Sequence, residues 1–280
     1  LIAICTNPFR DNNYELAVKA ARLLSDAGYE SIICRVFGND ETAPAPEGIT
    51  LTSLEACADS TLAIVIGGDG TILTVSRLLR SKGVPILGVN LGTLGFMASI
   101  EPEQLEYVVC AARGEYHISR RMLLDVSVIR DGVVISSDIA LNDAVLHGYG
   151  DCITVTARSG DTNITRFAGD GIVISTPTGS TGYSLSAGGP ILEPEIDNII
   201  ITPICPHVYG ARSFVLSPDR VIDVVLKHQH ERKAFTSVDG NKTVDFIPGD
   251  ILRVSKSKYS TLMVRFGTDN FFDVAYDKLT

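Results

Sequence analysis

An apolar run, Ile64-Val65-Ile66, passes directly into Gly67-Gly68-Asp69-Gly70-Thr71. Glycines at such a place let backbone N–H groups approach a phosphate with no Cβ in the way. A helix expected to start at or just after Thr71 adds partial positive charge at its N-terminus. The Gly-Lys-Ser/Thr ending of a P-loop is missing, and so is the G-x-G-x-x-G spacing. Asp69 is the odd member, since a carboxylate beside a phosphate cradle is repelled by the ligand unless it has a task. It could accept a proton from an attacking hydroxyl, or hold a metal ion that bridges phosphates. It could also simply cap the helix.

A second stretch runs from Gly169-Asp170-Gly171 through Ser175-Thr176-Pro177-Thr178-Gly179-Ser180-Thr181-Gly182-Tyr183-Ser184-Leu185-Ser186 to Gly189-Pro190. It is too polar to fill a core. Its hydroxyls and bare backbone suit a ligand that carries sugar hydroxyls and phosphates. A third segment, Leu141-Asn142-Asp143, places an amide beside a carboxylate, a pair able to bond a ribose diol or an adenine edge, although Asn-Asp commonly marks a turn.

These segments need a scaffold. Up to about residue 100, short apolar runs alternate with helical periodicity: strands are expected at Leu1–Cys5, Ser31–Phe37, Leu62–Ile66 and Pro85–Val89. Helices are expected at Tyr14–Ala27, stopped by Gly28, and at Thr71–Arg80, with a last one at Glu103–Ala112. Alternation of this kind implies a mostly parallel sheet, which binds ligands beyond the carboxyl ends of its strands. From Leu123 onward Val, Ile and Thr recur at period two between turn signals. Asp125–Ile129 and Val133–Ser136 flank Asp131-Gly132 as a hairpin. Further strands are expected at Ile153–Ala157, Ile172–Ser175, Val221–Leu226, Ile251–Ser255 and Thr261–Phe266, with turns at Asp239-Gly240 and Pro248-Gly249. The fold class is therefore an α/β N-terminal domain with a mostly parallel sheet, followed by an all-β C-terminal domain. The expected boundaries are 1–100, 101–265, and a tail, 266–280, that returns to the first domain.

The bulk properties narrow the function. The chain has 280 residues, is 45% hydrophobic and carries a net charge of -9. That balance argues against nucleic acid or a membrane surface as partner, since both need a basic footprint. An anionic small ligand stays open, because backbone N–H groups do not enter the formal charge. Six cysteines stand singly, with no C-x-x-C pair and no Cys/His cluster at metal-ligand spacing, so they read as buried thiols in a reducing compartment. No apolar run approaches the ~18–20 residues of a membrane span. Leu1–Cys5 reads as a strand rather than a signal peptide, and a cytoplasmic location is expected.

Together the motifs resemble those of the NAD kinase family. Gly67–Thr71 matches its GGDGT motif, Asn142-Asp143 its Asn-Glu/Asp pair, and STPTGSTGYSLSAGGP, from Ser175 to Pro190, its long signature almost residue for residue. Asn90-Leu91-Gly92-Thr93-Leu94-Gly95-Phe96, Thr202–His207 and Val238-Asp239-Gly240 are further echoes. GGDGT alone also resembles lipid kinases and phosphofructokinases, whereas the long signature is specific. The resemblance implies a site in the cleft between an α/β and a β domain. It implies phosphoryl transfer from ATP, or polyphosphate, to the 2′-hydroxyl of the adenosine ribose of NAD. Mg²⁺ or another divalent ion would be bound with the donor. A cytoplasmic homo-oligomer, dimer or tetramer, is implied as well. Asp69 would be the general base. Gly67, Gly68, Gly70 and Thr71 would line the substrate, Phe96 its adenine or nicotinamide pocket, and Asn142 and Asp143 its ribose or base. Asp170, Thr181, Gly182, Tyr183 and Ser186 would contact the rest of NAD, with lesser contacts from Cys205 and Asn241. Departures from the family pattern are Asn241 for a common Gln, Gly182 for a common Ala, Ala168 where some members carry Arg, and Ser213 for a common Pro. Two rival readings are a lipid or sugar kinase sharing the GGDGT segment and a non-catalytic NADP-binding protein.

Overall fold

The computed structural model describes residues 1–92, 95–150, 152–208, 210–227, 233–267 and 271–279. Two compact units emerge, Leu1–Arg120 together with Ser260–Thr280, and Arg121–Tyr259. Helix α3, Tyr107–Ala112, and the end of the chain both belong to the first unit.

The first unit has strands β1 (Ile2–Thr6), β2 (Ser31–Arg35), β3 (Leu51–Thr52), β4 (Leu62–Gly67) and β5 (Ile86–Asn90), and helices α1 (Glu15–Asp26), α2 (Asp69–Leu79) and α3. Its sheet runs β5-β4-β1-β2-β3 with every pair parallel. All residues of β1 and β4 are buried, as the uninterrupted apolar runs require when helices cover both faces. Ile2, Ile4, Ile64, Ile66, Leu87 and Val89 pack on Ala17, Ala20 and Leu24 of α1 and Val108 and Ala111 of α3. Gly88 points the other way, where an added Cβ would lie 2.8 Å from Ile72 Cδ1 of α2, so α2 closes the second face. Helix α1 ends in two paired bonds: Gly28 N–H donates to Ser25 and Tyr29 N–H to Leu24. Gly28 takes φ +84° there, a conformation glycine adopts without Cβ strain.

The second unit contains strands β6 (His117–Arg130), β7 (Val133–Ala140), β8 (Asp143–Gly148), β9 (Ile153–Ser159), β10 (Thr162–Gly169), β11 (Gly171–Ser175), β12 (Ile199–Ile204), β13 (Phe214–Leu216), β14 (Ile222–Leu226), β15 (Ala234–Val238), β16 (Asn241–Phe246) and β17 (Ile251–Arg265). Residues 117–120 of β6 and 260–265 of β17 belong to the first unit, where Met263 pairs in parallel with Ile86. The segments expected as separate strands at Ile251–Ser255 and Thr261–Phe266 are thus one strand. Buried positions shift along it from Leu252 and Val254 to Ser257, Thr261 and Met263, and the exposed Lys256 and Lys258 at the shift interrupt the apolar pattern. One antiparallel sheet has the order β13-β12-β11-β8-β15-β16. In the other, β10-β9-β14-β17 pair antiparallel, and the β6-β7 hairpin joins β17 through β6. Alternate residues of both sheets, among them Val126, Leu146, Val155, Ile172, Ile201, Val224 and Val254, share one core. Asp131 and Gly132 both have positive φ, which gives the hairpin turn whose twist matches its strands. Asp239-Gly240 repeats that geometry between β15 and β16. A 3-10 turn at Thr178–Thr181 and a short helix, α4 (Tyr183–Ser186), follow β11, and a last helix, α5 (Phe271–Leu279), belongs to the first unit.

Candidate functional site

In the first unit the loops after β4 and β5 leave the carboxyl ends of neighbouring parallel strands. The helix begins at Asp69, two residues earlier than the sequence suggested, with Gly68 as its N-cap. Asp69 is therefore not the cap. Its half-buried carboxylate turns away from its own helix and accepts the N–H of Phe96 at 2.9 Å and of Met97 at 3.2 Å. Such bonds to a carboxylate are charge-assisted and hold its orientation. Gly95 makes room for it: a Cβ there would lie 2.9 Å from Asp69 Oδ1.

The motif glycines have different reasons. At Gly67 a Cβ would lie 2.3 Å from Thr71 Oγ1, so this glycine lets the buried Thr71 fold back on the strand end. The Thr71 hydroxyl also accepts a bond from the Asn7 amide at 3.4 Å. Around Gly70 the space is open to 4 Å, and at Gly68 only Gly92 Cα comes that near. Bare backbone therefore faces free space at the first turn of a helix, where N–H groups lack partners within the helix. Asn90 braces the adjoining loop, accepting from Gly92 N–H at 3.0 Å and donating to Glu101 at 3.0 Å. The Phe96 ring lies 6.5 Å from that of Phe271. Thr93 and Leu94 of the same motif lie outside the described residues.

In the second unit, Asn142 and Asp143 enter β8 beside the exit of β11, where Asp143 pairs with Ser175. A carboxylate distant in sequence sets this corner. Asp239 accepts N–H groups from Leu141 (2.9 Å), Asn142 (2.8 Å) and Asp143 (3.1 Å), and its own N–H donates back to Asp143 at 3.0 Å. Sequence reasoning saw the Asp239-Gly240 turn and missed this role. Asn241 follows that turn, exposed, with its amide 3.5 Å from the Asp239 carbonyl.

Most hydroxyls of the long Ser/Thr/Gly stretch are spent on holding it. Ser175 donates to the carbonyls of Thr176 and Asn142, and Thr176 donates to the carbonyl of Leu141. Ser180 bonds both backbone groups of Leu192, and the Ser184 hydroxyl lies 2.9 Å from that of Thr202. Gly179 lies so close to the chain that an added Cβ would stand 2.2 Å from the Asn142 carbonyl oxygen. What remains toward solvent is Thr181, Gly182, Tyr183 and Ser186, with Tyr183 40% exposed. Two buried oxygens, Asn142 Oδ1 and Thr178 Oγ1, have no hydrogen-bond partner among the described residues. Thr178 went unnoticed in the sequence because nothing separates it from hydroxyls that turn out to be spent.

Charge gathers here. Burial, reinforced by the neighbouring Asp239, pushes the Asp143 carboxyl up to about 7. Burial also raises Asp239, opposed by its backbone donors, which favour the ionised form. The Asp143 carboxyl therefore titrates near neutral pH. Tyr183 is raised by burial and then by Cys205, Asp143 and Asp170. Cys205, at φ +44°, is exposed rather than buried as expected of the cysteines, and it bonds Asp170, which raises its thiol. The structure thus brings Asp143, Asp170, Tyr183 and Cys205 within electrostatic reach of one another.

Among the described residues no three His, Cys, Asp or Glu side chains are placed to hold a metal ion. A divalent ion at either locus would need most of its ligands from a phosphate-bearing substrate and water, with one carboxylate such as Asp69 from the chain. Among the described residues no helix is long and apolar enough to cross a membrane.

Comparison with known proteins adds the following. Residues 2–111 match the model of the ATP-NAD kinase N-terminal domain, and residues 141–266 that of the ATP-NAD kinase C-terminal domain. The chain is similar to an NAD kinase of Caldanaerobacter subterraneus, 35% identical across 100% of this chain and 98% of the relative. It is 42% identical to one from Acetivibrio thermocellus over 79% of this chain and 77% of that one. Yeast NADH kinase, solved with NADH, has a like fold, with TM-score 0.86 at 23% identity over 99% of this chain and 86% of the other. An Archaeoglobus fulgidus NAD kinase, solved with ATP, gives TM-score 0.75 at 26% identity over 100% and 98%.

Proposed function

The chain belongs to the NAD kinase family of phosphotransferases, and on that premise we propose that Asp69 is the general base for the 2′-hydroxyl of the adenosine ribose of NAD, with ATP or polyphosphate as donor. The observation that carries this reading is the hold on Asp69. A helix cap would point its carboxylate at its own first turn, whereas this one is fixed from outside by Phe96 and Met97. Two N–H donors leave lone pairs free on each oxygen, enough to accept a proton from a ribose hydroxyl.

Gly68 and Gly70 offer open backbone to the substrate phosphates, while Gly67 and Thr71 shape the turn from beneath. In the second unit the unpaired Asn142 Oδ1 and Thr178 Oγ1 call for a donor, which the exocyclic amine of adenine supplies. Asp143 takes a ribose hydroxyl. Thr181, Gly182, Tyr183, Ser186 and Asp170 contact the remaining dinucleotide, with Phe96, Cys205 and Asn241 at its margins. Mg²⁺ bound with the donor would neutralise charge on the phosphates. A cytoplasmic homo-oligomer, dimer or tetramer, belongs to the same reading, and sedimentation of the purified protein tests its assembly.

The decisive assay supplies pure NAD with ATP, then with polyphosphate, each with Mg²⁺, and follows NADP with an NADP-specific dehydrogenase. Asp69→Asn should lose about 10²–10⁴ in turnover while calorimetry still shows NAD binding. Wild-type turnover by that variant removes Asp69 from the reaction. Absence of NADP with every donor would favour a different acceptor, and NADP binding without turnover a sensor.

A further inference from the structure

The carboxylate of Asp69 depends on the backbone of residues 95–97, and that backbone depends in turn on a residue from the far end of the chain. Arg265, the last residue of β17, is buried at 7% exposure. Its guanidinium donates to the carbonyl of Met97 at 2.9 Å and to the hydroxyl of Ser99. Ser99 in turn donates its hydroxyl to the carbonyl of Val264, and its N–H goes to Gly88 of β5 at 2.9 Å. The two peptides flanking Met97 Cα are therefore tied in opposite senses: the N–H on one side faces Asp69, and the carbonyl on the other faces a buried cation.

A buried guanidinium is expensive to desolvate and is retained where its fork fixes several acceptors at once. A hydrophobic side chain of similar volume would fill the same space without holding the carbonyl. We propose that Arg265 is a positioning residue for the phosphoryl transfer: it locks the Met97–Ser99 backbone, so that Phe96 and Met97 present their N–H groups to Asp69 in one geometry. This rests on the reading of Asp69 as the base. Displacement of a reacting group by about 1 Å costs on the order of 100-fold in rate, so loss of the lock acts on turnover before it acts on binding.

The test is a double-mutant cycle of Arg265→Met with Asp69→Asn in the full chain, with kcat and KM for NAD measured at saturating donor. In the wild-type background Arg265→Met should lower kcat about 10- to 100-fold and leave KM for NAD within about twofold. In the Asp69→Asn background the same change should alter kcat by less than about twofold, because the lock then has nothing to position. Amide exchange supplies a second readout: protection of the Phe96 and Met97 amides should fall in Arg265→Met while that of β1 and β4 stays. Where Arg265→Met does not fold, Arg265→Lys and Ser99→Ala are read by the same criteria, with a smaller fall in kcat. Unchanged kcat in a folded variant, or an equal loss in both backgrounds, overturns the proposal. Full activity of Asp69→Asn would overturn the underlying reading instead, so the two failures are distinguishable.

Discussion

The Asp69 corner of the first unit and the Asn142-Asp143 corner of the second solve the same problem in opposite ways. Each presents a carboxyl group at a strand end. In the first unit the Asp69 carboxylate accepts backbone N–H groups itself and stays half exposed. In the second a different carboxylate, Asp239, accepts the N–H groups of residues 141–143, which leaves Asp143 buried beside it with its proton affinity raised. Using one residue for both tasks holds a carboxylate in one orientation while part of it faces solvent. Dividing the tasks leaves a buried carboxyl that titrates at about 7. Chemistry in the first unit should accordingly fail without unfolding, and recognition in the second should fail together with stability.

The largest effect expected from this contrast is that of Asp239→Ala. It strands three N–H groups and should destabilise the protein by about 2–4 kcal/mol, seen as a lower urea midpoint. Asp69→Asn should leave that midpoint almost unmoved. If both variants unfold alike, the distinction is lost. Next comes Gly179→Ala, whose Cβ meets the Asn142 carbonyl, a contact only backbone movement can relieve. It should cost about 1–3 kcal/mol and raise KM for NAD more than it lowers kcat.

Asp143 sharpens the comparison through pH. Its carboxyl titrates near 7 when folded and near ~3.9 when unfolded. Between those values the native state binds the extra proton, so stability from this group is present at low pH and lost as pH rises through 7. Asp143→Asn should therefore gain on wild type by about 1–2 kcal/mol between pH 5 and pH 8 in matched denaturation curves. A constant difference would place the carboxyl in water. The smallest effect belongs to Gly95→Ala. Its methyl group presses on Asp69 Oδ1, and kcat should fall about tenfold, equivalent to about 1.4 kcal/mol, with the urea midpoint held.

What could be read from the residues follows the same division. Gly67–Thr71 announces itself because its support is local: a strand, a turn and a helix in succession. The identity of Asp69's partners, 27 and 28 residues on, was not legible, and neither was Asp239's hold on residues 141–143 nearly a hundred residues away. The hydroxyls of Ser175–Ser184 looked available, yet burial of Gly171–Ser180 turned most of them inward. Strand β10 escaped notice because Thr162, Asn163 and Arg166 of this edge strand face solvent, and β12 because Pro203 follows its run of isoleucines. Pattern reveals an element when one face is apolar throughout, and conceals it where an edge or a polar partner breaks the rhythm.

The first unit is assembled from two stretches of chain, with 139 residues of the second lying between Arg120 and Ser260. During synthesis the parallel strands β1, β2, β4 and β5 leave the ribosome before the second unit, but the segment that carries Met263 to Ile86, and Arg265 to Met97, leaves only after it. Units generally fold as they emerge. Here the loop that holds the Asp69 carboxylate must wait until the second unit has been translated, so a chain released before residue 265 would hold the glycine-rich motif and lack the tie from Arg265 to Met97.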